Sequence, residues 1–404
     1  MRYFLFFITL GVGGYQNVFA LEYGVVQYNL KYLLSPEYHE INHNSLYYPG
    51  SKLGGKDKFF SLKNELELRV QWDKIIIQST LSDKGYSNLS YINQLYYDDA
   101  VGFLNFTFGK KVISWGVGHA FRPLDVIQHE NRRAINTSAL IGVPLISVEK
   151  ITPSDALTVV WANPFVDHDR NKNESVAFRY YLFSDNYDFH FVGQYSRKNK
   201  TETGLGATRI ANENISLFGS ILYAQRYSNI KNSLILTDNI YSEVDPMEIR
   251  EYTDAVRANI GLQWTGNSGF GILLEAYYDG EAYSQSDWRR LDRLTKEQVA
   301  SGLVSREVMA GNVAWSSAAF YQDNLVRENY FMRLSYDNAN GFKSSFDLLL
   351  APKDGGVIAT IELMYEKNTQ RYRLGIRHYG GKADSVFYNI PESNVSWVRF
   401  ELSF

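Results

Sequence analysis

The chain contains no cysteine in 404 residues, so a disulfide framework and thiol chemistry are both excluded. Proline is scarce at 9, so few positions are barred from strand ladders. The formal charge is only −3, which leaves no basic footprint for nucleic acid. Beyond the N-terminus no run of 18 apolar residues occurs, so no membrane-crossing helix is expected. The N-terminal segment itself reads as an export signal. Arg2 gives a positive start, Tyr3 to Gly14 an apolar stretch too short to span a bilayer, and Val18-Phe19-Ala20 a small-x-small-like end. Residues 1–20 are expected to be removed, leaving 21–404 as a single mature domain. An exported chain without a helical anchor is either soluble or a barrel.

Rings are abundant. Tyrosine numbers 30 and phenylalanine 24, and aromatics reach 15%, enough for girdles at both interfaces of a membrane-spanning barrel. Mean hydropathy is −0.29. A barrel hides half of each strand from lipid, so a low average suits one. In Val395–Phe404, Val398, Phe400, Leu402 and Phe404 alternate with Trp397, Arg399, Glu401 and Ser403. One face is greasy, the other polar, and no turn residue interrupts them, as a membrane-spanning strand requires. The stretch resembles the closing strand of a bacterial outer-membrane β-barrel. That resemblance implies that Phe404 is an insertion signal, read by the outer-membrane assembly machinery. An edge strand of a soluble sheet would alternate in the same way, but the rest of the chain weighs against it.

Alternation predicts strands near 22–34, 60–72, 74–82, 89–97, 101–110, 144–151, 155–162, 175–183, 187–195, 203–211, 214–226, 253–265, 269–279, 328–337, 342–351, 356–366, 370–379 and 395–404. The expected fold is all-β: one transmembrane antiparallel barrel of about 18 strands (16–18), an even number. If the last strand ends in the periplasm, the inner links are all short. They are Asp73, Asp98-Asp99, Thr152–Ser154, Ala211–Glu213, Thr265–Ser268, Asp337–Gly341 and Lys367–Thr369, rich in turn formers. Every long link (35–59, 111–143, 163–174, 227–252, 280–327 and 380–394) falls outside. Short periplasmic turns and long outer loops are the asymmetry of such barrels.

The faces sort as well. Val256, Ala258, Ile260, Leu262 and Trp264 face lipid, while Arg257, Asn259, Gly261 and Gln263 face inward. Val357, Ala359, Ile361, Leu363 and Tyr365 face out, while Thr360, Glu362 and Glu366 face in. Tyr372, Leu374 and Ile376 face out; Arg371, Arg373 and Arg377 face in. A charge on the lipid face would cost roughly 2–4 kcal/mol at mid-membrane, and nearly all strand charges avoid it. Arg371, Arg373, Arg377 and Arg399, beside Glu362, Glu366 and Glu401, form either a charged pore wall or a set of cross-strand braces. Their mixed signs argue against strong ion selectivity.

Phe108 to Ile127 is the most distinctive internal tract. Its Gly109-Lys110, Trp115-Gly116-Val117-Gly118 and Pro123-Leu124-Asp125 resemble a motif of porin-like barrels, including relatives of alginate-export channels. The likeness covers some twenty residues. It implies that loop 111–143 folds inward and narrows the pore, with Lys110, Lys111, Arg122, Asp125, Arg132 and Arg133 near the constriction.

Two patterns suggest enzymes. His39-Glu40-Ile41-Asn42-His43 matches H-E-x-x-H, which binds zinc when both histidines share a helix face, and Ser35-Pro36 could open a helical turn. No amphipathic helix surrounds it and no third ligand follows. Ser114, His119, Asp125 and His129 are the residue types of a serine hydrolase, as in outer-membrane phospholipases, but no nucleophile elbow supports them. Neither a catalytic residue nor a metal ligand is assigned, and no cofactor is implied. Loop 280–327 is expected to be partly helical, through Trp288–Leu294 and a capping-box-like start at Thr295–Gln298.

The expected function is passive passage, or export, of a hydrophilic solute across a bacterial outer membrane. The expected partners are outer-membrane lipid and lipopolysaccharide, and a small hydrophilic solute or polysaccharide. The alternative is a plugged barrel acting as adhesin, receptor or structural protein.

Overall fold

The computed structural model describes residues 18–21, 24–51, 58–83, 88–128, 140–164, 174–237 and 239–404. A short strand β1 (Val18–Leu21) pairs with the start of β2 (Gly24–Ile41). Most of the expected signal segment lies outside the described residues. There follow β3 (Lys58–Trp72), β4 (Ile75–Asp83), β5 (Asn88–Val101), β6 (Leu104–Lys111), β7 (Val143–Ile151), β8 (Asp155–Ala162), β9 (Ser175–Ser184) and β10 (Tyr187–Ser196). The second half comprises β11 (Lys200–Asn212), β12 (Ile215–Asn232), β13 (Met247–Thr265), β14 (Phe270–Asp279), β15 (Glu328–Asp337), β16 (Phe342–Ala351), β17 (Gly356–Lys367), β18 (Gln370–Gly381) and β19 (Glu392–Ser403). Each strand from β2 onward pairs antiparallel with the next, and β19 returns to β2 from Ser403↔Lys31 to Glu392↔Ile41. The result is a closed barrel of 18 strands, β2 to β19. Phe404 completes the seam: its N–H donates to Leu30 O at 2.8 Å, and Leu30 N–H donates to Phe404 O at 3.1 Å.

The alternation decides which way each residue points. Val398, Leu374, Ile361 and Ile260 are exposed on the outer wall, whereas Val395, Trp397, Arg399 and Glu401 are buried on the inner one. Inward glycines make room for neighbouring rings. A Cβ at Gly375 would lie 2.2 Å from the Trp397 ring. One end of the barrel carries tight turns, with left-handed backbone at Asp73, Asp185 and Asn368.

Two expected turns move. Asp98 and Asp99 lie within β5, and the turn falls at Gly102-Phe103, where Gly102 has φ +64° and open space for its missing Cβ. The turn expected at Ala211–Glu213 falls at Glu213-Asn214, because β11 runs on to Asn212. Three strands outrun their hydrophobic pattern. β2 reaches Ile41, β12 reaches Asn232, and β13 begins at Met247, so the expected links 35–59 and 227–252 are shorter than predicted.

The opposite end carries a helical cap. Loop 280–327 forms α1 (Gln285–Ala300) and α2 (Arg306–Ser317). The start of α1 is not at Thr295. Ser284 caps it in a reciprocal box with Asp287, and Thr295 lies mid-helix, its hydroxyl donating to Leu291 O at 2.9 Å. Trp288, Leu291 and Leu294 project from α1 into an apolar cluster with Tyr47, Leu234, Val313, Leu325 and Phe387. Trp288 Nε1–H donates to Leu325 O at 2.7 Å, and Tyr47 O–H donates to Asp292 at 2.8 Å. Segments from several loops therefore share one core above the mouth.

A lumen narrowed by an inward loop, and the vestibule above it

Loop 112–128 leaves β6 and folds into the barrel. Its local shape is set by Asp125, whose carboxylate accepts from Ser114 Oγ at 2.9 Å, Trp115 N at 2.6 Å and Gly116 N at 2.7 Å. Charge-assisted bonds of this kind are among the stronger ones in proteins. Arg122 closes the same turn, donating from Nε to Gly118 O at 3.0 Å and from Nη1 to Ser114 Oγ at 2.9 Å. A side chain at Gly116 would run into Arg122, with a Cβ–Cβ distance of 2.4 Å. Trp115, Leu124 and Val126 bury themselves against Leu145, Val160, Ala177, Val192 and Leu222 on the inner wall. Leu124 is fully buried because Gly204 and Gly206 of β11 leave a hollow for it; a Cβ there would meet its methyls at 2.5 and 2.7 Å.

The loop also reaches β13 and β14. Glu275 accepts from Ala120 N at 2.9 Å and Phe121 N at 3.1 Å. Asn259 donates to Phe121 O at 3.2 Å and to Glu275 at 2.8 Å. Phe121 stacks on Tyr277 at 4.3 Å, and His119 packs edge-on to Phe218 at 5.1 Å. The loop is thus tied to β7–β12 by apolar packing and to β13–β14 by a carboxylate latch.

Above it lies a cavity of about 540 Å³. Phe121, Arg122 and Asp125 form its floor, Arg257, Tyr277 and Asp279 part of its wall, and Tyr321–Asn324 its cap side. Arg257 is buried between Glu202 and Glu281, 3.2 Å from each. Burial pushes the Glu281 carboxyl up to about 7, against the pull of Arg257 and with help from Asp279 and Glu202.

The expected site residues divide into two groups. Arg122 and Asp125 meet in the inward loop, and Lys111 faces inward but is held on the wall by Asp98 at 2.7 Å. Lys110 is not at the constriction. It shares the parity of the outward Phe106 and Phe108, and its ammonium donates to Ile92 O at 2.7 Å. Arg132 and Arg133 lie outside the described residues. The second group lines the wall from β17 to β19. Arg371 bridges Glu366 at 3.0 Å and Glu401 at 2.7 Å, and Glu401 also takes Lys31 at 3.2 Å. Arg377 donates to Thr360 at 2.9 Å. Arg373 and Arg399 stand opposite each other in the register, and Glu362 faces inward beside them. This wall is therefore both braced and charged.

Sequence reasoning missed Glu275, Asn259, Tyr277 and the Arg257 pairs. Their inward parity was legible, but the loop partners of Glu275, Asn259 and Tyr277 are more than a hundred residues away, and the Arg257 partners Glu202 and Glu281 are 55 and 24 residues away on other elements.

Among the described residues the enzyme patterns do not assemble as chemistry would need. His39 and Glu40 lie on the extended β2 and so point to opposite faces, and His43 lies beyond its end. His39 stacks on Phe59 at 4.2 Å between Glu37 and Glu392. Ser35 and Pro36 are also in β2 rather than at a helix start. Ser114 binds Asp125 directly, His119 packs against Phe218, and His129 lies outside the described residues. Among the described residues no group of three or more His, Asp or Glu is placed to hold a metal ion.

A closed antiparallel barrel, apolar outside, polar inside and narrowed by an inward loop, has the architecture of an outer-membrane porin. Solved structures with this fold include OccAB1 of Acinetobacter baumannii, at TM-score 0.55 and 9% identity, covering 93% of this chain and 96% of that one. OccK8 (OprE) of Pseudomonas aeruginosa matches at TM-score 0.53 and 9% identity, covering 93% and 98%. A BenF-like porin of Pseudomonas fluorescens Pf-5 matches at 0.55 and 7%, covering 94% and 99%. At these identities the likeness is one of fold. No protein-family model matches the chain, and no curated protein matches it in sequence.

Proposed function

We propose that this protein is an outer-membrane channel for passive diffusion of a small hydrophilic solute. One observation carries the reading: a polar-lined lumen is crossed by a loop that is pinned at both flanks, with a solute-sized vestibule above it. Small-molecule sites typically enclose roughly 300–1,000 Å³, the class to which this vestibule belongs. The outer wall supplies the apolar band that lipid requires, and the porin fold of its structural neighbours supports the same reading. The solute would move by diffusion, with hydrogen bonds and local fields from the Arg and Glu wall replacing part of its hydration. Swelling of liposomes that contain the refolded protein tests this, using a size series of neutral and charged solutes. Entry of the smaller solutes and exclusion of the larger ones is the expected outcome. No swelling from a folded, inserted barrel would favour a plugged one.

Glu281 gives the channel a pH response. Below about pH 7 its carboxyl takes up a proton, and Arg257 loses one of its two counter-charges. The vestibule becomes more positive, so relative anion permeability should rise between pH 8 and 6. Reversal potentials in a salt gradient measure this. Glu281→Gln should remove most of the step, and an unchanged step in that variant would assign it to another group.

A further inference from the structure

Arg209 stands on the outer wall without a counter-charge. Elsewhere on that wall Lys58 meets Glu40 at 3.6 Å and Arg226 meets Glu251 at 3.2 Å. Arg209 shares the outward parity of Leu205, which is 53% exposed, and its neighbours across the two ladders are Tyr187 and Leu217. Among the described residues no carboxylate pairs with it. Its guanidinium lies over the Tyr187 ring, 5.2 Å from the centroid. A lone cation on a lipid-facing wall is costly in hydrocarbon and tolerated where it reaches the headgroups. Arg209 lies close to the Glu213-Asn214 turn, at the end of the barrel that carries the tight turns.

Next to this cation the wall is hollowed. Across β10, β11 and β12 the next two rows of outward residues are Phe189, Ala207, Gly219 and then Phe191, Leu205, Ile221. These six residues line an apolar hollow of about 380 Å³, with the small Ala207 and Gly219 as its floor. Gly193, on the same outer wall, is covered: a Cβ there would lie 2.3 Å from the Phe178 ring. Gly219 is left open, and the atoms nearest to its missing Cβ are Asn259 O at 3.3 Å and Ile260 at 3.9 Å, both on β13. Tyr187 joins the cation to the hollow, because its ring stacks on Phe189 at 5.8 Å. From Arg209 to Leu205 is four residues, about 14 Å along a strand, so cation and hollow fit within one leaflet of a hydrocarbon core about 30 Å thick.

We infer that this strip of the outer wall holds one phospholipid of the periplasmic leaflet, with its phosphate on Arg209 and an acyl chain in the hollow. Guanidinium matches a phosphate with two parallel hydrogen bonds, which supplies the missing counter-charge. The hollow supplies apolar contact that a smooth wall lacks. Short turns face the periplasm in barrels of this class, which sets the leaflet. The site goes beyond the channel reading and does not depend on conduction.

Native mass spectrometry of the refolded barrel tests it, with phosphatidylglycerol as probe and diacylglycerol as the phosphate-free control. One phosphatidylglycerol should stay on the wild type after detergent is removed, and diacylglycerol should be held about tenfold less, the scale of one charge-assisted contact. Arg209→Gln should weaken phosphatidylglycerol about tenfold and leave diacylglycerol unchanged. Ala207→Leu fills the hollow and should weaken both lipids. Arg209 is exposed, so its variant folds even where the other does not. Retention that neither variant alters is that of ordinary surrounding lipid and overturns the inference, as does equal retention of diacylglycerol. Lipid A that displaces phosphatidylglycerol from the wild type at equal concentration also overturns it, since the strip would then serve the opposite leaflet.

Discussion

Replacing Glu275 with alanine should release the inward loop from one flank and raise the single-channel conductance. Glu275 accepts two backbone N–H groups of the loop and the Asn259 amide. Hydrogen bonds to a charged group contribute about 1.5–3 kcal/mol each, so even one such loss shifts the loop about tenfold or more toward the released position. The Phe121–Tyr277 stack remains, and Leu124 stays in its hollow, so the loop should flicker rather than leave. Frequent steps to a larger conductance are therefore expected. Glu275→Gln keeps one acceptor and should give a smaller effect. Conductance and noise equal to wild type in Glu275→Ala would mean that the latch does not set the constriction.

The second large effect belongs to the barrel seam. Glu401 on β19 takes Lys31 from β2 at 3.2 Å and Arg371 from β18 at 2.7 Å, so one carboxylate ties three strands where the barrel closes. Its side chain is only 6% exposed, while those of Lys31 and Arg371 are near a third. Removing one partner of a buried pair costs about 3–5 kcal/mol, and the partial exposure of both cations brings the figure to about 2 kcal/mol. Glu401→Ala should therefore lower the urea midpoint and the temperature at which the folded band disappears in heat-modifiability gels. Glu366, still 3.0 Å from Arg371, limits the loss. An unchanged midpoint would mean that backbone pairing alone holds the seam.

Much of this was legible because a membrane barrel obeys a period of two. Val398, Leu374 and Ile361 announced lipid, and Arg371, Arg373 and Arg399 announced the lumen, before any strand was paired. The uneven lengths of the links announced which end carries the loops. The failures have equally local causes. Asp98-Asp99 has the composition of a turn, yet Asp98 pairs inward with Lys111 and Thr107 while Asp99 pairs outward with Lys74. Composition cannot separate a tight turn from two opposed, partnered carboxylates. The resemblance of its tract to porin-like barrels puts Lys110 near the constriction, but one residue of register sets it on the other face. The upper halves of β12 and β13 carry polar residues such as Glu251 and Thr253 on an exposed outer side, which breaks the apolar alternation, and Asn232 at the end of β12 is buried against the cap, donating to Ser316 at 3.0 Å. A capping-box-like start at Thr295 lies about three turns beyond the true start of α1, because Thr295 mimics a cap that Ser284 provides. The latch and the Leu124 hollow depend on contacts across the lumen, which no short window contains.

The most direct test of the central claim is the single-channel conductance of the refolded wild-type barrel. An open lumen narrowed by a pinned loop predicts stable, uniform steps and a quiet open level. A barrel that is folded and inserted yet carries no current would contradict it, and the lumen would then be plugged.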